Sequence, residues 1–147
     1  MTVPTVSLNS QHQIPQLGFG VFQIDPTDTV EAVLAAFTPA TRPLVVDHVT
    51  SATARLLPVA RLCASARERG VLTLVDGAHA AGMLARPLEG LDCDVWTTNL
   101  HKWACAPRGT AALVARGEVR DALYPLIDSW GTPLPFPDRF DRQGTLD

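Results

Sequence analysis

Two apolar runs between residues 71 and 102 deliver an acid, two imidazoles and an amine. The first run, 71–75, ends on Asp76 and is followed by Gly77, Ala78 and His79; the second, 94–98, ends on Asn99, His101 and Lys102. In open parallel sheets, ligands bind outside the carboxyl ends of the strands. A lysine there can form a Schiff base with an aldehyde. A buried carboxylate can keep a pyridine nitrogen protonated, so that the ring draws electrons from a substrate carbanion. Asp76 and Lys102 are one crossover apart, so adjacent strands would set them at opposite ends of one small ring. His79 is then placed to meet a ring hydroxyl or the ring face, and Asn99 and His101 to bind a phosphate. The set suits an aldehyde that carries a ring nitrogen and a phosphate.

Simpler roles compete residue by residue. Asp76 alone would cap a following helix, and Lys102 alone would be a solvated cation. A metal held by Asp76, His79 and His101 would face Lys102 in its midst, which repels the ion. The register of Asp76 and His79 with His101, Lys102 and Trp103 favours the ring-binding chemistry. Trp103 and Cys105 are expected to pack, and His48 to hydrogen-bond locally.

The elements that must position this set follow from the pattern around it. Residues 44–49 form a β-branched apolar run interrupted by Asp47 and His48, followed by the turn and cap residues Thr50, Ser51, Ala52 and Thr53. A helix is expected over 53–69, with Leu56, Val59, Ala60, Cys63 and Ala66 near one face, Pro58 delaying or kinking its start, and Gly70 ending it. The crossover 80–91 holds Gly82, Pro87 and Gly90 and should be partly irregular. A turn at Pro107, Arg108 and Gly109 leads into an apolar strand over 110–115, and a short helix runs from Gly117 to about residue 126. Strand, helix, strand, crossover, strand predicts an α/β fold built on a parallel sheet. Upstream, residues 3–8 and 14–17 suggest a β-hairpin around a polar turn, 17–24 a short strand, and Asp25, Pro26 and Asp28 the start of a helix reaching about Phe37.

Composition narrows the class. A chain of 147 residues, 46% hydrophobic, suits one globular domain, and a net charge of −3 without a basic stripe argues against nucleic acid. No apolar run reaches the roughly 20 residues of a membrane span, and the first ten residues do not read as a secretory signal. The cytoplasm is expected. Three cysteines without CxxC spacing predict reduced thiols rather than a disulfide framework or a structural zinc.

VDGAHAAGM (75–83), LDCDVWTTNLHKW (91–103) and APRGTAALVAR (106–116) together resemble the core of the class V aminotransferases, pyridoxal-phosphate enzymes of fold type I, and most of all the isopenicillin N epimerase-like proteins. Cysteine desulfurases share the frame. The resemblance covers about residues 42–147. It implies a partial fold type I large domain, a mostly parallel sheet with helices, with Lys102 as the Schiff-base lysine, Asp76 as partner of the pyridine nitrogen, His79 by the ring hydroxyl, and Asn99 and His101 near the phosphate. Ser51, within HVTSATA (48–54), falls where the family often has a polar group near the ring hydroxyl. RQGT (142–145) is similar to a short family motif whose threonine reaches the cofactor phosphate of the neighbouring subunit, so Thr145 implies a homodimer.

Residues 3–37, with LGFGVFQ at 17–23, resemble instead the start of an aldo-keto reductase: capping hairpin, first barrel strand and first barrel helix. No later reductase motif follows, and Gly18 and Gly20 are expected to be remnants of a strand-and-turn pattern. The expected organisation is a reductase-like segment over 1–37 and a partial class V domain over 38–147. The class V frame would also require a phosphate-binding turn, a stacking residue and a substrate-gripping arginine, for which Arg108 and Arg139 are no clear substitutes. The expected function is a pyridoxal-phosphate enzyme acting on an amino acid or its derivative, truncated and weakly active or inactive. The alternatives are an NADPH-dependent reductase fragment and a non-catalytic fusion product.

Overall fold

The computed structural model describes residues 24–25 and 27–141, together with the backbone of two short strands, β1 (Thr5–Ser7) and β2 (Gln13–Pro15). These pair antiparallel with Val6 opposite Ile14, as the expected hairpin requires. The expected strand over 17–24 lies almost wholly outside the described residues, as do Gly18, Gly20 and Thr145.

The main sheet has four strands in the order β3 (Pro43–Asp47), β4 (Leu72–Asp76), β5 (Val95–Asn99) and β6 (Ala111–Ala115). The first three are parallel, whereas β6 runs antiparallel to β5. The sheet is thus mostly parallel, as the resemblance implies. No helix intervenes between β5 and β6; a short connection around Pro107 and Gly109 simply turns the chain back, as antiparallel neighbours permit and parallel ones do not.

Register decides which residues form the core. Val46, Val75, Trp96 and Val114 lie side by side on one face of the sheet. Val46, Val75 and Trp96 are buried, and Val114 packs against them. That face is covered by α1 (Thr29–Ala35) and α2 (Val59–Arg67), whose Val30, Val33, Val59, Leu62 and Cys63 join the same cluster. The helix expected over 53–69 starts only at Val59, because Pro58 occupies its N-cap with a non-helical ψ of 53°. Residues 51–53 form a turn, and Leu56 bridges back to Val49 instead. The apolar stripe therefore begins later and falls on Val59, Leu62, Cys63 and Ala66, at helical spacing. Ala60 is exposed and so is Leu56. α3 (Gly117–Ala122) is shorter than expected, ending four residues early as the chain turns extended at Leu123.

On the opposite face Val45, Leu72 and Leu113 are 64%, 52% and 43% exposed. The sheet is thus closed on one side and open on the other. The three cysteines are free; burial and the neighbouring Cys93 push the Cys63 thiol up to about 11. No helix among the described residues is long and apolar enough to cross a membrane.

Candidate active site

β3 and β4 end together, with Asp47 opposite Asp76 in the parallel register. Both side chains emerge on the open face of the sheet at its carboxyl edge. Beyond β4 the chain turns sharply. The Ala78 amide donates to Asp76 Oδ1 at 2.8 Å, the Gly77 amide to the Thr97 carbonyl at 2.7 Å, and Thr98 Oγ1 to the Gly77 carbonyl at 2.7 Å. Gly77 is required because the Trp96 indole lies where a Cβ would be. One carboxylate oxygen of Asp76 therefore closes its own turn, as its simplest role would have it, but no regular helix follows.

This turn carries His79 toward the connection after β5. Lys102 Nζ lies 3.2 Å from His79 Nε2, and the Trp103 indole Nε1–H donates to His79 Nδ1, also at 3.2 Å. The Lys102–Trp103 turn is seated on Gly82, whose φ of +85° and absent Cβ leave room for the Trp103 carbonyl and the Ala104 amide; a Cβ would sit 2.5 to 2.7 Å from them. The glycine of the partly irregular crossover is thus what lets the two turns stack.

A cleft of about 130 Å³ lies between these ends, lined by Asp47, Val49, Ser51, Asp76, Ala78, His79 and Lys102. Four of the residues singled out from sequence, Asp76, His79, Lys102 and Ser51, thus converge. Asn99 and His101 are placed differently. Asn99 shares the sheet face of Asp76 but lies one pleat beyond its partner Thr97, and His101 is exposed on the following bend. Neither is among the residues lining this cleft. His48 is buried, its Nδ1 without a partner, and burial pushes its imidazole down from the usual range. Among the described residues there is no cluster that could hold a metal ion.

In the sequence Asp47 only interrupts an apolar run, yet it lines the cleft. Burial, then the facing Asp76, push its carboxyl above the ordinary range, while His79 and Lys102 pull it back. The signal was present in the sequence: an acid closing an apolar strand, the pattern that marked Asp76. Trp103 was expected only to pack; it is 52% exposed and its indole bonds to the site histidine. Arg139 is engaged within the fold. It is buried, its guanidinium bonding to the carbonyls of Leu134, Asp121 and Leu123 and lying 4.2 Å from the Tyr124 ring centroid.

The family model described as Aminotransferase class-V matches residues 14–131, most of the chain. The chain belongs to the class V aminotransferase family. That match starts inside the stretch resembling a reductase, and α1 shares its core with the sheet. The chain is 45% identical over 106 residues to the isopenicillin N epimerase of Amycolatopsis lactamdurans, covering 72% of this chain and 27% of that protein. It is 42% identical over 112 residues to the isopenicillin N epimerase of Streptomyces clavuligerus, covering 76% and 28%. Among solved structures, a cystine C–S lyase in complex with its product cysteine persulfide superposes with a TM-score of 0.65 at 29% identity, covering 71% of this chain and 28% of the other. The chain thus spans about a quarter of the length of the proteins it matches. The fold is that of fold type I pyridoxal-phosphate enzymes, and pyridoxal phosphate is the cofactor the family implies.

The donor set fits that cofactor. A carboxylate, an imidazole and a primary amine line one cleft at a sheet edge, the groups required for a ring nitrogen, a ring hydroxyl and an aldehyde carbon.

Proposed function

We propose that this chain carries the lysine–aspartate wall of a pyridoxal-phosphate site of the isopenicillin N epimerase type, acting on an amino acid or its derivative. The observation that carries the proposal is the meeting of Asp76, His79 and Lys102 in one cleft, with Lys102 Nζ 3.2 Å from the His79 ring. The identity to the two epimerases supports epimerisation over the C–S cleavage named for the structural relative. When bound, the cofactor supplies an electron-withdrawing ring that stabilises negative charge at a substrate α-carbon.

The residues of the chain do the rest. Asp76 holds a proton at the ring nitrogen, because a carboxylate fixed by its own turn presents its second oxygen to a cationic partner. His79, from the same turn, would meet the ring hydroxyl, and Ser51 would offer a hydroxyl from the β3 side. Lys102 would supply the amine that holds the cofactor aldehyde and, as a general base, would take the α-proton; epimerisation then requires a proton delivered to the opposite face of the α-carbon. Asn99 and His101, outside the cleft itself, would hold the phosphate. At about 130 Å³ the cleft is smaller than the roughly 300–1,000 Å³ of complete small-molecule pockets, so it forms one wall of a site. The resemblance of RQGT supports a homodimer in which Thr145 reaches the neighbouring cofactor. The free thiols suit a reducing compartment such as the cytoplasm.

Titrating the purified chain with pyridoxal phosphate tests the reading. A visible absorbance band of lysine-bound cofactor is expected in the wild type and not in Lys102→Ala. Its absence from the wild type, or its survival in Lys102→Ala, would overturn the assignment.

A further inference from the structure

Trp103 directly follows the lysine, and its indole stands edge-on to the His79 ring, with centroids 6.5 Å apart and planes at 61°. The two ring nitrogens of His79 have different neighbours: Trp103 Nε1 at Nδ1, Lys102 Nζ at Nε2, both at 3.2 Å. An indole N–H can only donate, so Nδ1 must present its lone pair. A neutral imidazole carries one hydrogen, which is then on Nε2 and directed at Nζ. That hydrogen needs an acceptor. Nζ meets the need only with its own lone pair turned toward the ring, the state in which an amine attacks a carbonyl carbon. The other tautomer would set the Trp103 N–H against a second N–H and lose that bond.

We propose that Trp103 is a positioning residue for Lys102, acting through His79: its indole fixes the Nε2–H tautomer, and the imidazole orients the lysine lone pair. Its use in cofactor capture rests on the function proposed above; the hydrogen-bond relay itself does not. Charged groups from the other elements at this cleft act against the relay. Asp47 at the end of β3 and Asp76 at the end of β4 carry negative charge that attracts a cationic amine. From the β5 side the facing groups are Lys102 itself and the Trp103 indole. The relay is the directional contact that favours the neutral, nucleophilic amine over that attraction.

The full chain without added cofactor provides the test, because Lys102 is its only lysine and amine labelling reports on that residue and the amino terminus alone. Nitrogen chemical shifts of labelled histidine are expected to show His79 with a bare Nδ1 and a protonated Nε2 in the wild type. A hydrogen on Nδ1 would overturn the proposal without any variant. Trp103→Phe keeps a ring and removes the donor. It should scramble the His79 tautomer and slow acylation of Lys102 several-fold relative to the amino terminus. In a His79→Phe background the same substitution should have no further effect. An unchanged tautomer and rate in Trp103→Phe, or an effect that persists without His79, would refute the relay. If the cofactor band appears while Trp103→Phe is silent, the relay has failed and the proposed function stands. If the relay is seen but no band forms, the reverse holds.

Discussion

Asp47 and Asp76 face each other across two strand ends, and like charges so placed raise the proton affinity of the group that yields. Asp47 is that group, with burial as the first cause. As pH rises, the unfolded chain loses this proton first, at the ordinary carboxylate value, while the folded chain holds it longer. Stability therefore falls from that value up to the raised one and is level above it. Asp47→Asn removes the penalty. It should leave the unfolding midpoint unchanged near pH 3 and raise stability at pH 7, by less than about 1 kcal/mol because the carboxyl is partly solvated; urea unfolding at both pH values measures this. His48 acts with the opposite slope. Burial depresses its imidazole, so the unfolded chain takes up the proton first as pH falls from about 6.5, the usual histidine value, and stability is lost from there through the depressed value. A His48→Gln variant should flatten the dependence of the thermal midpoint on pH below about 6.5, and an unaltered slope would place the acid sensitivity elsewhere. Asp76 and Lys102 were legible from sequence because each closes an apolar run. Asp47 closes one too, but only the register shows that it stands opposite Asp76.

At the scale of elements, α2 and the turn over Gly82 hold the site together from two sides. Leu62 on α2 is fully buried against the sheet. Leu62→Ala should cost about 2–5 kcal/mol by opening a cavity behind β3 and β4, read as a fall in urea midpoint with little change in slope. Gly82 has the contrary role, since it contributes space. Gly82→Ala would drive a Cβ into the Trp103–Ala104 peptide at a φ that favours glycine, and should shift Lys102 away from His79. The expected outcome is a weakened cofactor band in a chain whose circular dichroism is nearly unchanged. Strand positions followed from apolar runs, and β4 and β5 begin within a residue of where the pattern put them. The start of α2 did not, because Pro58 stops the helix from nucleating at Thr53 and the bridge between Val49 and Leu56 uses the freed residues.

On the scale of the molecule, one sheet face is packed under two helices and the other presents Val45, Leu72 and Leu113 to solvent with the site at its end. The tail is tied down by Arg139, whose guanidinium satisfies three backbone carbonyls beyond β6. Arg139→Ala should cost about 1–3 kcal/mol by leaving carbonyls without donors. Faster amide exchange over residues 121–140, with the sheet unaffected, is the expected signature. The sequence by itself determined the chemistry on offer: an acid, an imidazole and an amine at the ends of apolar strands, within the span that the class V family model matches. Local patterning can do this because strand ends are marked by the residues that stop them. Only the tertiary structure decided which groups meet. Register set Asp47 against Asp76, left Asn99 one pleat beyond the cleft and His101 on an exposed bend, and brought Trp103 to the far side of His79. Those are contacts between segments distant in sequence, fixed by how strands slide and turns stack, and no periodicity within one segment encodes them.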